Sequence, residues 1–308
     1  MDDLEMFSTL PLSCNGRKID TSSSAFGWLQ DSSAMSDDVG GLRKRMEDDG
    51  YLYLPGFLNV DDIRAAREAV LQLLSNEGTL DPRFKKDEAY AIGTANMRLR
   101  LDIANKTAAQ PFLERILSSE KIIQFYSDLL GGQAKRYKCI WLRTMTTNNG
   151  AAPHCDIVFF GRGTRQLYTA WIPLGSIPLS LGGLFLLEGS HKNKQLLDTY
   201  CSMDIDVVCL NKDNKPQMNV AGYVGTGTLS LDTAKLQREL SCRLLTAKEY
   251  KMGDFLTFTA YTIHGSFDNM RSEMRLSVDT RYQLESEPTD ERYLTDLPLP
   301  RTMKSIIC

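Results

Sequence analysis

The chain has 308 residues, 42% of them apolar and 24% charged, with a net charge of −3. That make-up belongs to a soluble globular protein of one large or two small domains. The acidic balance argues against a nucleic-acid partner, because a phosphate-backbone binder is basic, and no apolar run approaches the roughly 18 residues that cross a membrane.

Residues 1–5 are acidic and lack the basic and apolar regions of a signal peptide. Residues 1–39 mix Ser, Asp and Gly with scattered apolar residues and show no period, so a flexible segment is expected. A short charged helix is expected over 42–49 and stops at Gly50. A strand over 51–54 and a turn at Pro55-Gly56 follow. Asp61 is the expected N-cap of a helix through 75, with Ile63, Ala66, Val70, Leu73 and Leu74 on one face. A second amphipathic helix is expected over 112–130, with Leu113, Ile116, Leu117, Ile122 and Leu129, ending at Gly131-Gly132. Short strands are then expected over 136–144, 154–160, 166–172, 183–187, 228–231, 255–263 and 275–283. Helices first and many short strands afterwards predict an α+β chain with a mainly β core, a sandwich or jelly roll, its sheet braced by the N-terminal helices. Residues 40–308 are expected to form a single domain. Within it, residues 192–240, including a helix over 232–240, interrupt the strands and read as a substrate-shaping insertion or, more plainly, a surface excursion. The ending 305–308 is not a Ser-Lys-Leu signal. The seven cysteines, odd in number and without paired spacing, read as reduced thiols of a cytoplasmic protein.

Chemistry concentrates in two stretches. In Pro153-His154-Cys155-Asp156, the histidine and the aspartate are two residues apart, and on an extended strand such positions share a face. An imidazole and a carboxylate can then reach one ion while Cys155 points away. Two polar residues on a strand are, taken alone, more often a solvent-facing pair. The second stretch, Tyr261-Thr262-Ile263-His264-Gly265-Ser266, followed by Arg275-Leu276-Ser277, supplies another histidine. Two histidines and one carboxylate form the facial triad of non-heme Fe(II) oxygenases; with one water they also suit catalytic zinc. His191, after Gly189-Ser190, reads as a structural turn residue. Arg275, Ser277, Asp279 and Arg281 share one strand face, opposite Leu276, Val278, Thr280 and Tyr282. That polar face lies either in water or inside a ligand-holding barrel. Arginine suits a carboxylate because its planar fork makes two parallel charge-assisted bonds. Arg271 falls in a turn and reads as solvated. Arg281 lies six residues past Arg275, roughly 20 Å along a strand at about 3.3 Å per residue, too far for both to hold one small ligand.

His154-x-Asp156, His264 and Arg275 eleven residues later resemble the Fe(II)/2-oxoglutarate dioxygenases, and the phytanoyl-CoA dioxygenase-like branch in particular. Supporting stretches are Asp49-Gly50-Tyr51-Leu52-Tyr53-Leu54-Pro55-Gly56-Phe57, Trp171-Ile172-Pro173-Leu174, Gly183-Leu184-Phe185 and Gly189-Ser190-His191. Together they span roughly residues 42–283. Glu188 departs from the pattern, since a proline often precedes Gly-Ser-His. The resemblance implies a double-stranded β-helix (jelly-roll, cupin-like) barrel. It implies Fe(II) held by His154, Asp156 and His264, with 2-oxoglutarate and O2 as co-substrates. It places the distal carboxylate of 2-oxoglutarate on Arg275, with Ser266 and Ser277 as helpers and Trp171 lining the pocket, although core packing explains Trp171 equally well. A halogenating relative carries a small residue at the position of Asp156, so oxygen transfer or oxidation is expected.

The expected function is oxidation, by default hydroxylation, of a small organic molecule, with 2-oxoglutarate converted to succinate and CO2. Two rivals use the same residues: a zinc-dependent hydrolase, which has no need of Arg275, and a catalytically silent small-molecule-binding protein on the same barrel. Lys192, Lys194, Lys212 and Lys215 could meet a CoA phosphate, though a solvated polar loop explains them more simply.

Overall fold

Two β-sheets form the frame of the computed structural model, which describes residues 11–92, 99–210, 227–298 and the strand Lys304–Ile307. The larger sheet runs Tyr51–Leu54, Phe255–Thr259, Tyr168–Pro173, Arg275–Leu284 and Ala134–Arg136, and Trp141–Met145 also pairs with the long strand Arg275–Leu284. The smaller sheet runs Phe26–Trp28, Leu244–Thr246, Leu184–Leu187, His264–Ser266 and Ala151–His154. Alternation along each strand decides which residue meets which layer. Ala170, Ile172, Leu276, Val278 and Tyr282 face the helices; Trp171 and Phe258 face Leu184 and Leu186 of the opposite sheet. The chain is α+β and mainly β, with the helices of residues 39–130 on one face of the larger sheet.

Those helices are specified locally. Asn59, not Asp61, caps the helix Val60–Asn76, accepting from the amides of Asp61 at 2.8 Å and Asp62 at 3.3 Å. Ile63, Ala66, Val70, Leu71 and Leu74 are its buried stripe. The expected helix over 112–130 is two helices, Gln110–Leu117 and Glu120–Leu130, because Ser119 turns extended and caps the second through the amide of Ile122. Tyr126 of that second helix stacks on Tyr282 at 4.1 Å, and its hydroxyl meets Thr257 at 2.7 Å. A buried aromatic pair of this kind is worth about 0.5–1.5 kcal/mol beyond its area.

In its described part, from residue 11, the segment over 1–39 carries short strands. Ser13–Cys14 pairs with Arg17–Lys18, Phe26–Trp28 joins the smaller sheet in parallel with Leu244–Thr246, and Leu12, Cys14, Ile19 and Phe26 pack behind Phe185, Leu187 and Leu244. Its strands are two or three residues long, too short for periodicity to register. The strand expected over 154–160 ends at His154, and Ile157–Phe160 is one helical turn. The strand expected over 228–231 is absent; Leu229 instead donates to the carbonyl of Pro153 at 2.8 Å. The strand expected over 255–263 stops at Thr259, with a turn before His264–Ser266. Within the proposed insertion, Lys194–Asp198 and Thr233–Leu240 are helical, while residues 211–226, with Lys212 and Lys215, lie outside the described residues.

Candidate active site

The two sheets meet at a row of polar side chains. His154 and His264 are cross-strand partners in the smaller sheet, with ring centroids 4.3 Å apart. Gly265 lets their strands approach, since a Cβ there would lie 2.6 Å from the carbonyl oxygen of Ala151. Asp156 arrives differently from the extended geometry expected of it. Its backbone is helical, with φ −75° and ψ −27°, and it begins the turn Ile157–Phe160. The turn is tied to the barrel by the Ile157 amide, which donates to Ala260 at 2.9 Å. The turn carries the carboxylate toward the larger sheet. Cys155, as expected, looks elsewhere: it is buried, and its sulfur lies 3.6 Å from that of Cys201.

One ligand atom from each of His154, Asp156 and His264 lies within 4.8 Å of the others, and no second such cluster occurs among the described residues. His154 Nδ1 is 2.8 Å from the carbonyl of Ala152, and His264 Nδ1 is 3.1 Å from that of Thr262. A carbonyl only accepts, so both Nδ1 atoms carry hydrogen and both Nε2 lone pairs are free for a metal. Burial holds both imidazoles neutral; it pushes His154 down to about 3, helped by His264, and lowers His264 as well. Neutral imidazoles and an ionised carboxylate are the ligand forms a divalent ion takes.

Asp156 is fixed by groups that sequence reasoning did not include. Arg281 Nη2 donates to both its oxygens at 2.9 Å, and Thr169 Oγ1 donates to Oδ2. Burial would raise the Asp156 carboxyl, but the Arg281 guanidinium, the two histidines and the Thr169 hydroxyl together outweigh it and keep the group below the usual carboxylate range. Arg281 Nη1 continues to Asp279 at 2.7 Å, and Asp279 accepts from Arg143 Nε at 2.7 Å. The long strand's polar face is therefore buried, with Arg281, Asp279 and Arg275 each 2% exposed or less. The available signal for Arg143 and Thr169 was alternation: both occupy inward positions in register with Ser277 and Arg281 respectively.

Arg143, His154, Trp171, His264, Ser266 and Arg275 line one narrow cavity beside the triad. Arg275 Nη1 donates to the carbonyl of Gly182 at 2.9 Å, while its Nε has no partner. Gly182 has φ +84°, and a Cβ there would sit 2.6 Å from the carbonyl oxygen of Phe267, so the anchor depends on glycine. Burial and the charge of Arg143 bring the Arg275 guanidinium down to about 9, still cationic at neutral pH. A buried cation with an unpaired donor fits a bound carboxylate. Ser266 Oγ accepts from the amide of Ala151 at 2.9 Å, and Trp171 packs on Tyr250 with centroids 4.8 Å apart. Ser277 does not line the cavity; it is fully buried, and its Oγ is unpartnered. Arg271 is exposed and paired with Glu273. His191 Nε2 lies 3.0 Å from the carbonyl of Glu47, bracing the end of the helix Val39–Asp49. Glu188 holds Arg243 in a two-pronged ion pair at 2.6 and 2.7 Å. Lys192 and Lys194 pair with Asp48 and Asp198.

Opposed sheets enclosing two histidines and a carboxylate, with a buried arginine beside them, define a cupin-like non-heme iron oxygenase. The sequence model of the phytanoyl-CoA dioxygenase family (PhyH) matches residues 46–277, and the chain belongs to that family. It is similar to the 1-deoxypentalenic acid 11-beta-hydroxylases of Streptomyces exfoliatus, at 23% identity over 87% of this chain and 89% of the relative, and of Streptomyces arenae, at 24% over 89% and 91%. Among solved structures, the non-heme alpha-ketoglutarate-dependent carbocyclase SnoK from nogalamycin biosynthesis superimposes with a TM-score of 0.57 at 14% identity, covering 88% of this chain and 97% of its own. EctD from S. alaskensis, solved with 2-oxoglutarate and 5-hydroxyectoine, gives 0.55 at 16%, covering 92% and 91%. The protein is an Fe(II)/2-oxoglutarate-dependent dioxygenase. Among the described residues, no helix is long and apolar enough to cross a membrane.

Proposed function

We propose that this dioxygenase hydroxylates a small organic molecule in the cytoplasm, as a single domain over residues 40–308, with His154, Asp156 and His264 as its iron ligands. The observation that carries the assignment is the pair of free Nε2 atoms facing Asp156: His264 Nε2 is 4.0 Å from Asp156 Oδ1, a separation one ion can span. Bound Fe(II) supplies the O2 chemistry that couples oxidative decarboxylation of 2-oxoglutarate, giving succinate and CO2, to substrate oxidation.

The chain's own groups do the rest. Arg275 takes the distal carboxylate of 2-oxoglutarate with the donor that lacks a partner. Ser266, which lines the cavity beside Arg275, completes the anchor, while Ser277 lies buried behind that lining and is not part of it. Trp171 and Phe258 wall the cavity and keep water out; Phe258 lies 4.5 Å from the His264 ring. The hydroxylase relatives support hydroxylation over other oxidations. Cys14, Cys139, Cys155, Cys201 and Cys242, none of them in a disulfide, support a reducing compartment.

The test is 2-oxoglutarate binding and turnover with defined metals. Fe(II) should support succinate formation, while Zn(II) should bind and inhibit, since it has no redox chemistry. His154→Ala, Asp156→Ala and His264→Ala should each abolish turnover and weaken metal binding in folded protein. A purified variant with full activity removes its residue from the triad.

A further inference from the structure

A second cavity, of about 320 Å³, opens on the other side of the triad and reaches both His154 and Asp156. That is the size class of small-ligand sites. Its body is aromatic: Trp141, Phe159, Phe160 and Tyr293 line it, with Phe160 packed against Tyr293 at 4.4 Å and edge-on to Trp141 at 5.5 Å. Arg143, Arg281 and Arg292 also line it. Two of these guanidiniums are committed. Arg281 is spent on Asp156 and Asp279, and Arg292 on Asp290, Asp204 and Asp206. Arg143 differs. Its Nε and Nη2 bond Asp279, its Nη1 has no partner among the described residues, and its side chain is 21% exposed.

The charge balance at the metal end points the same way. Arg143, Arg275 and Arg281 stand against Asp156 and Asp279, which leaves one positive charge. Fe(II) adds two, and 2-oxoglutarate removes two. One positive charge remains among the groups bonded to the triad and to Asp279, apart from Arg292 and its own aspartates at the cavity's far side, and a half-buried unanswered charge favours an anionic ligand. Arg275 and Arg281 are each 2% exposed or less, so Arg143 is the cation a substrate can reach.

Resting on the dioxygenase reading above, we infer that this cavity takes an apolar, ring-sized molecule bearing a single carboxylate, with the carboxylate on Arg143 and the apolar body among Trp141, Phe160 and Tyr293. The acid group then fixes which carbon faces the iron, and Arg143 is a specificity-determining residue. A neutral ester of the same skeleton leaves the charge unanswered.

The experiment is isothermal titration of the anaerobic Fe(II)- and 2-oxoglutarate-loaded enzyme with 2-naphthoic acid and abietic acid, each beside its methyl ester and its primary amide. At least one acid should bind about ten-fold or more tighter than its ester and amide, the effect of answering one desolvated charge. Arg143→Gln should erase that preference, and Arg143→Lys, which keeps the charge, should restore part of it. The inference is overturned if neither acid outbinds its neutral partners, or if Arg143→Gln keeps the preference. It is also overturned if Arg143→Gln loses 2-oxoglutarate affinity more than acid affinity, because Arg143 is then a co-substrate group. Iron-dependent 2-oxoglutarate binding, titrated first without any probe, tests the dioxygenase site separately.

Discussion

Arg281 donates to both carboxylate oxygens of Asp156, at 2.9 Å each, across 125 residues of chain. Both side chains are 2% exposed, and the guanidinium lies 4.4 Å from the Trp141 ring and 4.6 Å from that of Phe160. A buried carboxylate so held has one orientation, which is what an iron ligand needs. Groups that orient a metal ligand typically cost about ten- to a hundred-fold in metal affinity when changed. Arg281→Lys keeps the charge but loses the fork whose Nη2 holds Asp156 while Nη1 holds Asp279. It should weaken Fe(II) binding by about that factor in a metal titration, while the 2-oxoglutarate requirement at saturating iron moves little. Unchanged iron affinity would show that Asp156 does not need the pair.

How much of this was legible in the sequence depended on distance along the chain. The candidate triad and Arg275 could be named because His154 with Asp156, and His264 with Arg275, are each short-range spacings. The role of Arg281 could not, since nothing in Arg275–Leu284 says which residue lies across the barrel. Strand spacing separated Arg281 from Arg275 but could not say what Arg281 meets: the strand carries it to the carboxylate of Asp156. The sheet's outer face was readable from Leu276, Val278 and Tyr282. The turn at Ile157–Phe160 was not, because four apolar residues read equally well as a strand.

Apo-protein stability should fall as pH drops below about 6.5. All three histidines of the chain have lowered pKa values, chiefly by burial. Below 6.5 the unfolded chain takes up protons that the folded chain refuses, so the unfolded state gains. For His154 the window runs from 6.5 down to about 3. A fully shifted imidazole contributes up to about 1.4 kcal/mol per pH unit. Denaturant midpoints between pH 7 and pH 4.5 should show the slope, and His264→Asn should flatten it. Asp156 and Asp279, both lowered, add a loss of the same sign only below the carboxylate range near 3.8. A flat profile between pH 7 and pH 4.5 would contradict the buried neutral state of these rings.

The native protein should have its fully reduced mass. Cys155 and Cys201 are buried with sulfurs 3.6 Å apart, a contact without a bond. Burial raises the Cys14 and Cys139 thiols to about 12, so little thiolate is available to react. Alkylation of the folded protein should therefore be slow at these positions and become fast on unfolding. A native mass two protons lower, restored by reductant, would refute this.

Arg275 is the residue whose loss should be felt by 2-oxoglutarate. Three arginines of the stretch 271–281 compete for the role. Arg271 is exposed and paired with Glu273. Arg281 is consumed by Asp156 and Asp279. Arg275 is 1% exposed, lines the cavity with His154 and His264, and keeps Nε unbonded while Gly182 fixes its Nη1. Removing one member of a buried charge pair costs about 2–5 kcal/mol. At about 1.4 kcal/mol per tenfold, that weakens binding by roughly thirty-fold to several thousand-fold. Arg275→Leu should therefore raise the 2-oxoglutarate requirement at least about ten-fold. Its effect on Fe(II) affinity should be small, because Arg275 makes no hydrogen bond to the triad. Arg281→Lys should show the reverse pattern, loss of iron affinity with little change in 2-oxoglutarate requirement. Measuring both constants in both variants separates the anchor of the co-substrate from the brace of the metal ligand. Unchanged 2-oxoglutarate affinity in Arg275→Leu would put the carboxylate anchor elsewhere in the barrel.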